Sequence, residues 1–580
     1  MSFSTVLRIN DVDDYITPSK SCIRPVKIDT RHGQTKSIRV EQDGTYTALT
    51  EDGGAYTLKK ATISLNDCLA CSGCVTTAES VLISEHSIHS FIEFVRRNRV
   101  QSGSALLLAV SLSPQSISSV ASELYDEEHV TPASQWFQLW RQEHFPDAKS
   151  PALDVVRRFL IDVFRQLGAH IVLDTTWTRD VCLYESAEEF IQLFRASVSS
   201  DPLQNLPLFC SVCPGWVCYA EKTLCGSSPV SENATLSQTF SILPHLSTIR
   251  SPQQIAGRFV KQINPQHVYH VTVMPCFDKK LEASRSEFAT TQSSSIDGNS
   301  VPDVDLVLAS SELGTLLSLV SPLVSTSDSD ENHRDLLIGP AELDAQRQAY
   351  LSELAHICYS GELDTTYPYE APAMYRHMGS GSGGYAAYVF HRAASVLFQL
   401  DLTADLAQDD RVLLRQLHNQ DVQEMLLFAS CEERDAARSA LTCLRNSRVP
   451  YRSTKAEPSP LLAFAVANGF RNIQNIVQPL KLAYKRQATA KSSRARFPFD
   501  YVEVMACPRG CLNGGGQLKG ALETTTQAYF QLPEVYPMLE PNVKRIYEYL
   551  QRADPDRQSL RTTFRQVPPI EIISPSALQW

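Results

Sequence analysis

Two cysteines at C-x3-C spacing, Cys507 and Cys511, stand in a loop-like stretch with Gly510, Gly514, Gly515 and Gly516. Thiolates bind soft metals and iron–sulfur clusters. Glycine lacks a Cβ and tolerates positive φ, so this loop is expected to let backbone pass close to a bulky inorganic group. Two phrases upstream carry further thiols: Cys210–Trp216, with Cys210 and Cys213, and Met274–Glu282, with Cys276. One thiol from each, added to Cys507 and Cys511, gives the usual ligand count of a 4Fe–4S cluster.

A second thiol group lies near the start of the chain. Cys68, Cys71 and Cys74 form a C-x2-C-x2-C triplet in which each sulfur can reach a different iron of one cube. The bacterial ferredoxin run would continue with C-x3-C-P, but Val75, Thr76, Thr77 and Ala78 follow, so the fourth ligand comes from elsewhere. Cys22 is the other cysteine of this region and the expected fourth ligand. Structural zinc uses separated C-x2-C pairs, so iron–sulfur is the better match.

These residues need elements to hold them. Residues 1–85 read as a small ferredoxin-like unit, with short strands at Ser37–Val40, Tyr46–Leu49 and Tyr56–Leu58 between Asp-Gly and Gly-Gly turns. From residue 86 to about 555 the rhythm is helix and apolar strand. Ala105–Val110, Ile171–Leu173, Val268–Val273 and Leu306–Ala309 read as strands, and Val155–Leu167 as an amphipathic helix stopped by Gly168. That alternation implies an α/β core with parallel sheets, with cysteine phrases at strand ends where such folds put their sites. Ser/Asp/Asn-rich stretches give surface insertions near 285–305 and 323–336, and 556–580 reads as a flexible tail.

With formal charge −11, the chain is not expected to offer a broad nucleic-acid surface. No stretch approaches the ~18 apolar residues of a membrane helix. The first residues show no basic-then-apolar signal, and 15 cysteines without one suggest metal chemistry in a reducing compartment. Gly379–Gly384 matches G-x-G-x-x-G literally, but no strand precedes it, so it reads as a turn entering a helix over Tyr385–Leu397, not as an NAD site. Cys182, Cys210, Cys218, Cys225, Cys358, Cys431 and Cys443 read as small buried thiols.

The three downstream cysteine phrases, in this order, resemble the signatures of the iron-only hydrogenases. The resemblance implies a two-lobe α/β core after a small ferredoxin-like cluster domain. It also implies cluster ligands at Cys213, Cys276, Cys507 and Cys511, the last bridging in hydrogenases to a diiron subsite. Met274, Lys279, Glu282 and Met505 match family residues as well. Two departures bear on activity. The proton-relay cysteine of hydrogenases is Val212 here, and a proton-path glutamate is Ser186 in an ungapped match. Proton transfer needs titratable groups in reach at each step.

The whole pattern is similar to the eukaryotic hydrogenase-like proteins of cytosolic iron–sulfur assembly. That likeness implies two 4Fe–4S clusters, no enzymatic activity, and cluster passage from a cytosolic scaffold to apoproteins through a targeting complex containing a WD40 propeller. It implies the cytoplasm as location, with the nucleus as a second. Leu578 and Trp580 fit an aromatic C-terminal docking signal, while Gln579 departs from it. The alternative is a hydrogen-activating enzyme with a rerouted proton path.

Overall fold

The structure is a computed structural model of the 580-residue chain. It describes residues 35–40, 46–50, 55–57, 77–100, 105–147, 152–199, 206–225, 240–262, 265–291, 300–323, 336–358, 374–417, 419–443, 450–454, 456–489, 497–520, 522–538 and 540–567. It divides into two compact units, Met1–Val81 and Leu82–Trp580. In the first, β1 (Thr35–Val40), β2 (Tyr46–Thr50) and β3 (Ala55–Thr57) form an antiparallel sheet in that order. Cys22, Cys68, Cys71 and Cys74 lie outside the described residues.

In the second unit the chain runs through β4 (Leu107–Leu112), β5 (Ile171–Asp174), β6 (Leu208–Phe209) and β7 (Val268–Met274). A hairpin of β8 (Ala289–Thr291) and β9 (Ser300–Pro302) precedes β10 (Leu306–Ala309). Then come β11 (Val412–Gln416), β12 (Val422–Leu427), β13 (Leu462–Asn468) and β14 (Tyr501–Met505).

Four strands, in the order β10-β7-β4-β5, make a wholly parallel sheet. The other sheet, β11-β12-β13-β14-β6, is parallel only where β13, β14 and β6 pair. At β11–β12–β13 it is antiparallel, so this second sheet is mixed. Residues 417–421, between β11 and β12, are too few for the crossover a parallel pair needs.

Both sheets are covered on both faces, which is why β4, β10 and β13 are buried along their whole length. Leu107, Ala109, Ile171 and Leu173 turn to a core shared with Phe464, Val466 and Tyr501 of the second sheet. Leu108, Val110, Leu112 and Val172 point the other way, with period two, onto Phe159, Leu160 and Val163. Those three belong to the Leu153–Gln166 helix, and Gly168, at φ +104°, turns the chain just past it. A third core lies behind the second sheet around Phe209, Trp216 and Val502. The helices Thr176–Ser199 and Tyr385–Phe398 pack together and share the core between the sheets.

The described parts of the expected surface insertion near 285–305 and of the expected flexible tail from 556 are built in. Asp303 is 1% exposed, with its carboxylate 2.6 Å from Arg250, and Asp305 pairs with Lys261 at 2.6 Å. Polar composition suggests surface, but Asp303 is buried and Asp305 half-buried, each against a buried cation. Residues 292–299 and 324–335 lie outside the description. The C-terminal segment also returns to the core: Leu560 is 1% exposed, Ile249 bridges to Arg561, and Thr562 N donates to Thr248 O at 2.7 Å. Leu578 and Trp580 lie outside the described residues.

Candidate metal centre

The three cysteine phrases leave the C-terminal ends of three parallel strands, β6, β7 and β14. Cys213 is the N-cap of the Pro214–Thr223 helix, with Pro214 pre-setting its first turn. Its Sγ accepts from Ala506 N at 3.3 Å. A Cβ on Gly215 would stand 2.8 Å from Asp278 Oδ2 and 3.2 Å from Ala506 Cβ. A glycine there brings all three phrases together.

The Cys507–Cys511 loop turns through Arg509 and Gly510, both at positive φ, into a short 3-10 turn, Cys511–Asn513. Gly516 N donates to Pro275 O at 2.9 Å, and a Cβ on Gly516 would stand 3.1 Å from Cys276 Cα. A Cβ on Gly514 would collide with Pro275 O. What these two glycines admit is therefore the backbone of the Cys276 turn, which corrects the expectation that they face an inorganic group.

The four thiols sense one another. Burial, then repulsion from Cys511, pushes Cys213 up to about 12. Burial, then Asp278 and the other three thiols, raises Cys276 well above the ordinary thiol value. Cys507 is raised by burial and then by Cys213. Cys511 is raised by burial, against a hydrogen bond to Ser382 and the pull of Lys279 and Arg179. Such a set cannot ionise together without added positive charge, which is what the core of a metal cluster would supply. Among the described residues, no three His, Cys, Asp or Glu side chains stand where one ion could be held.

Around them, Lys279 Nζ donates to Glu282 Oε2 at 2.8 Å and to Val212 O at 3.1 Å. Met505 Sδ lies 3.9 Å from Cys511 Sγ. Ser382 Oγ accepts from Cys511 N at 3.0 Å, and Gln517 Nε2 donates to Cys511 O at 3.3 Å. Ser382, Gln517 and Arg179 escaped the sequence reading. Arg179 stands between Thr178 and Asp180, in a stretch whose spacing marks no site.

The glycine-rich turn enters the Tyr385–Phe398 helix with Gly383 and Gly384 at positive φ. Glu503 fills that helix's N-terminus, taking Ala386 N at 2.7 Å and Ser380 Oγ at 2.6 Å. A carboxylate already sits where a dinucleotide's phosphates would bind. Of the other cysteines, Cys182, Cys210 and Cys358 are buried, Cys218 and Cys225 half-buried, and Cys431 is exposed at the start of the Cys431–Cys443 helix, against expectation. The side chain of Cys443 lies outside the description.

The carboxylates of the Thr176–Ser199 helix are all engaged. Glu185 accepts from Tyr547 OH and from Arg557 Nη1 at 3.0 Å. Glu189 accepts from Ser247 Oγ, from Thr248 N at 2.9 Å and from Arg561 Nη1 at 3.4 Å. Ser186 Oγ donates at 2.7 Å to Cys182 O of its own helix. Among the described residues no helix is long and apolar enough to cross a membrane.

The family model for the iron-only hydrogenase large subunit, C-terminal domain, matches residues 144–515. Cytosolic iron-sulfur assembly component 3 of Bos taurus is 37% identical over 584 residues, covering 97% of this chain and 97% of that protein. The cytosolic Fe-S cluster assembly factor narfl of Xenopus tropicalis is 35% identical over 585 residues, covering 98% and 97%. A solved FeFe-hydrogenase HydA1 from Chlamydomonas reinhardtii aligns at 17% identity with a TM-score of 0.48, over 83% of this chain and 99% of that one. Likeness at that level carries no argument.

Proposed function

The chain belongs to the iron-only hydrogenase-like family that includes the cytosolic iron–sulfur assembly components, and on that premise we propose its function. It is a non-catalytic assembly factor that binds two 4Fe–4S clusters and delivers clusters to cytosolic and nuclear apoproteins. Cys22, Cys68, Cys71 and Cys74 hold one cluster; Cys213, Cys276, Cys507 and Cys511 hold the other. Recipients are reached through a targeting complex with a WD40 propeller, docked by Leu578 and Trp580. The protein works in the cytoplasm, with the nucleus as a second location.

The reading is carried by the four neighbouring thiols, with Val212 and Ser186 standing where the resemblance puts a proton relay. Bound there, a 4Fe–4S cluster would supply one-electron redox and exchangeable iron–sulfide. Ala506 N stabilises the Cys213 sulfur, while Gly215, Gly514 and Gly516 let the three loops close up. Val212, at the relay position, offers an isopropyl group and no proton. Ser186 keeps its hydroxyl within its own helix, and the neighbouring glutamates hold the C-terminal segment.

Iron and sulfide analysis of anaerobically purified full-length chain tests this directly. Cys276→Ala is expected to lose the second cluster and spare the first; normal iron content would end the assignment. Truncation after residue 567 is expected to keep both clusters and lose delivery in a transfer assay with the targeting complex. Undiminished delivery would remove the docking role of Leu578 and Trp580.

One observation favours a second reading, a hydrogen-activating enzyme. Lys279 and Met505 remain beside Cys511, as a diiron subsite would require. That reading needs a proton route that avoids Val212.

A further inference from the structure

Two buried cations lie near the four thiols, and they are not equivalent. Lys279 is cancelled by Glu282, 2.8 Å away. Arg179 is not. Its residue is 2% exposed, yet Nη1 donates to the Tyr529 hydroxyl at 2.9 Å and Nη2 to the Gln115 amide oxygen at 3.1 Å. Both acceptors are neutral, and among the described residues no carboxylate pairs with the guanidinium. Burying a charge without an opposite charge is strongly unfavourable. A chain that keeps one needs something negative beside it.

Geometry points to Cys511. Gln115, which takes one arm of Arg179, also accepts through its backbone carbonyl from Gln517 Nε2 at 3.1 Å, and that same nitrogen reaches Cys511 O at 3.3 Å. On the other flank, a Cβ on Gly383 would stand 3.1 Å from Arg179 Cδ. Its neighbour Ser382 holds Cys511 N at 3.0 Å. Two short routes thus join the guanidinium to one cysteine. Asp278 repels Cys213, Cys276 and Cys507, whereas Cys511 feels the pull of Lys279 and Arg179. Glu503 also faces Cys511, but Ala386 N and Ser380 hold it.

We infer that Arg179 is the fixed counter-charge of the cluster bound through Cys511. The inference rests on the cluster assignment above. Four thiolates around a 4Fe–4S core are negative overall, so a cation that is a defect in the cluster-free chain becomes a partner in the loaded one. Arg179 then couples loading to stability. A fixed positive charge nearby also favours the more negative, reduced cluster and so raises its potential.

The test compares wild type, Arg179→Gln and Arg179→Lys, full-length, with and without cluster. Arg179→Gln keeps an amide donor for Tyr529 or Gln115 but no charge. Cluster-free Arg179→Gln should melt as high as wild type or a few degrees higher. Its gain in melting temperature on loading should shrink, and the midpoint of the second cluster, read by electron paramagnetic resonance, should move negative. Arg179→Lys should restore part of both. An unchanged loading gap and midpoint in Arg179→Gln at full iron content overturns the inference alone, as does failure of its cluster-free form to fold. Equal iron in wild type and Cys511→Ala overturns the cluster assignment and the inference with it.

Discussion

The cysteine loops and the acidic face of the Thr176–Ser199 helix belong to one unit, yet their polar groups are satisfied in opposite ways. In the loops, four thiols crowd together and raise one another's pKa, with two cations near Cys511. Among the described residues, only those two cations offset that set. On the helix, every carboxylate has partners: Glu185 has Tyr547 and Arg557, Glu189 has Thr248 and Arg561, and Glu188 has Arg392 at 3.4 Å. The first region is built for an added group. The second has become an anchor for the C-terminal segment.

That contrast can be broken at either end. The largest effect is expected from Cys276→Ala, which should remove the second cluster entirely and cut iron per chain by about half, checked by iron and sulfide analysis. Glu185→Ala should leave iron per folded chain unchanged and lower stability in urea unfolding. Removing one partner of a fully buried pair costs roughly 3–5 kcal/mol, and the partly exposed Arg557 reduces this to about 2–3 kcal/mol. Ser186→Ala loses one hydrogen bond within a helix and should cost about 1 kcal/mol or less. A much larger loss, or a change in cluster content, would mean that Ser186 serves the site. Val212→Cys should produce no hydrogen turnover, since Glu185 and Glu189 stay locked. Any turnover, measured by gas chromatography under reducing conditions, would erase the contrast.

Much of the site is legible in the chain because its determinants are local. Val268–Val273 and Leu306–Ala309 are apolar runs of strand length, and both form strands. Cys213, Cys276, Cys507 and Cys511 follow strand ends, where open α/β sheets put their sites. The Gly379–Gly384 turn lacks a strand before it, and its helix end is filled by Glu503.

What escaped depends on partners distant in sequence. Asp303 reads as polar surface until Arg250 is known to lie under it. The segment around Leu560 reads as tail because its contacts are with Thr248, Ile249 and Arg250. Arg179 finds Gln115 and Tyr529, far apart in the chain, so no spacing could announce it. The antiparallel β11–β12 pair follows from a short connection whose pairing is not written in periodicity. The glycines of the Cys507 loop mark a close approach, but only the fold tells that Pro275 is what approaches.

The most direct test of the central claim is an infrared spectrum of full-length protein purified anaerobically from its native source, in the region where iron-bound carbonyl and cyanide absorb. Visible iron–sulfur absorption with no such bands is the predicted result, leaving cubane clusters without a diiron subsite. Carbonyl and cyanide bands would contradict it and make the chain a hydrogen-activating enzyme despite Val212.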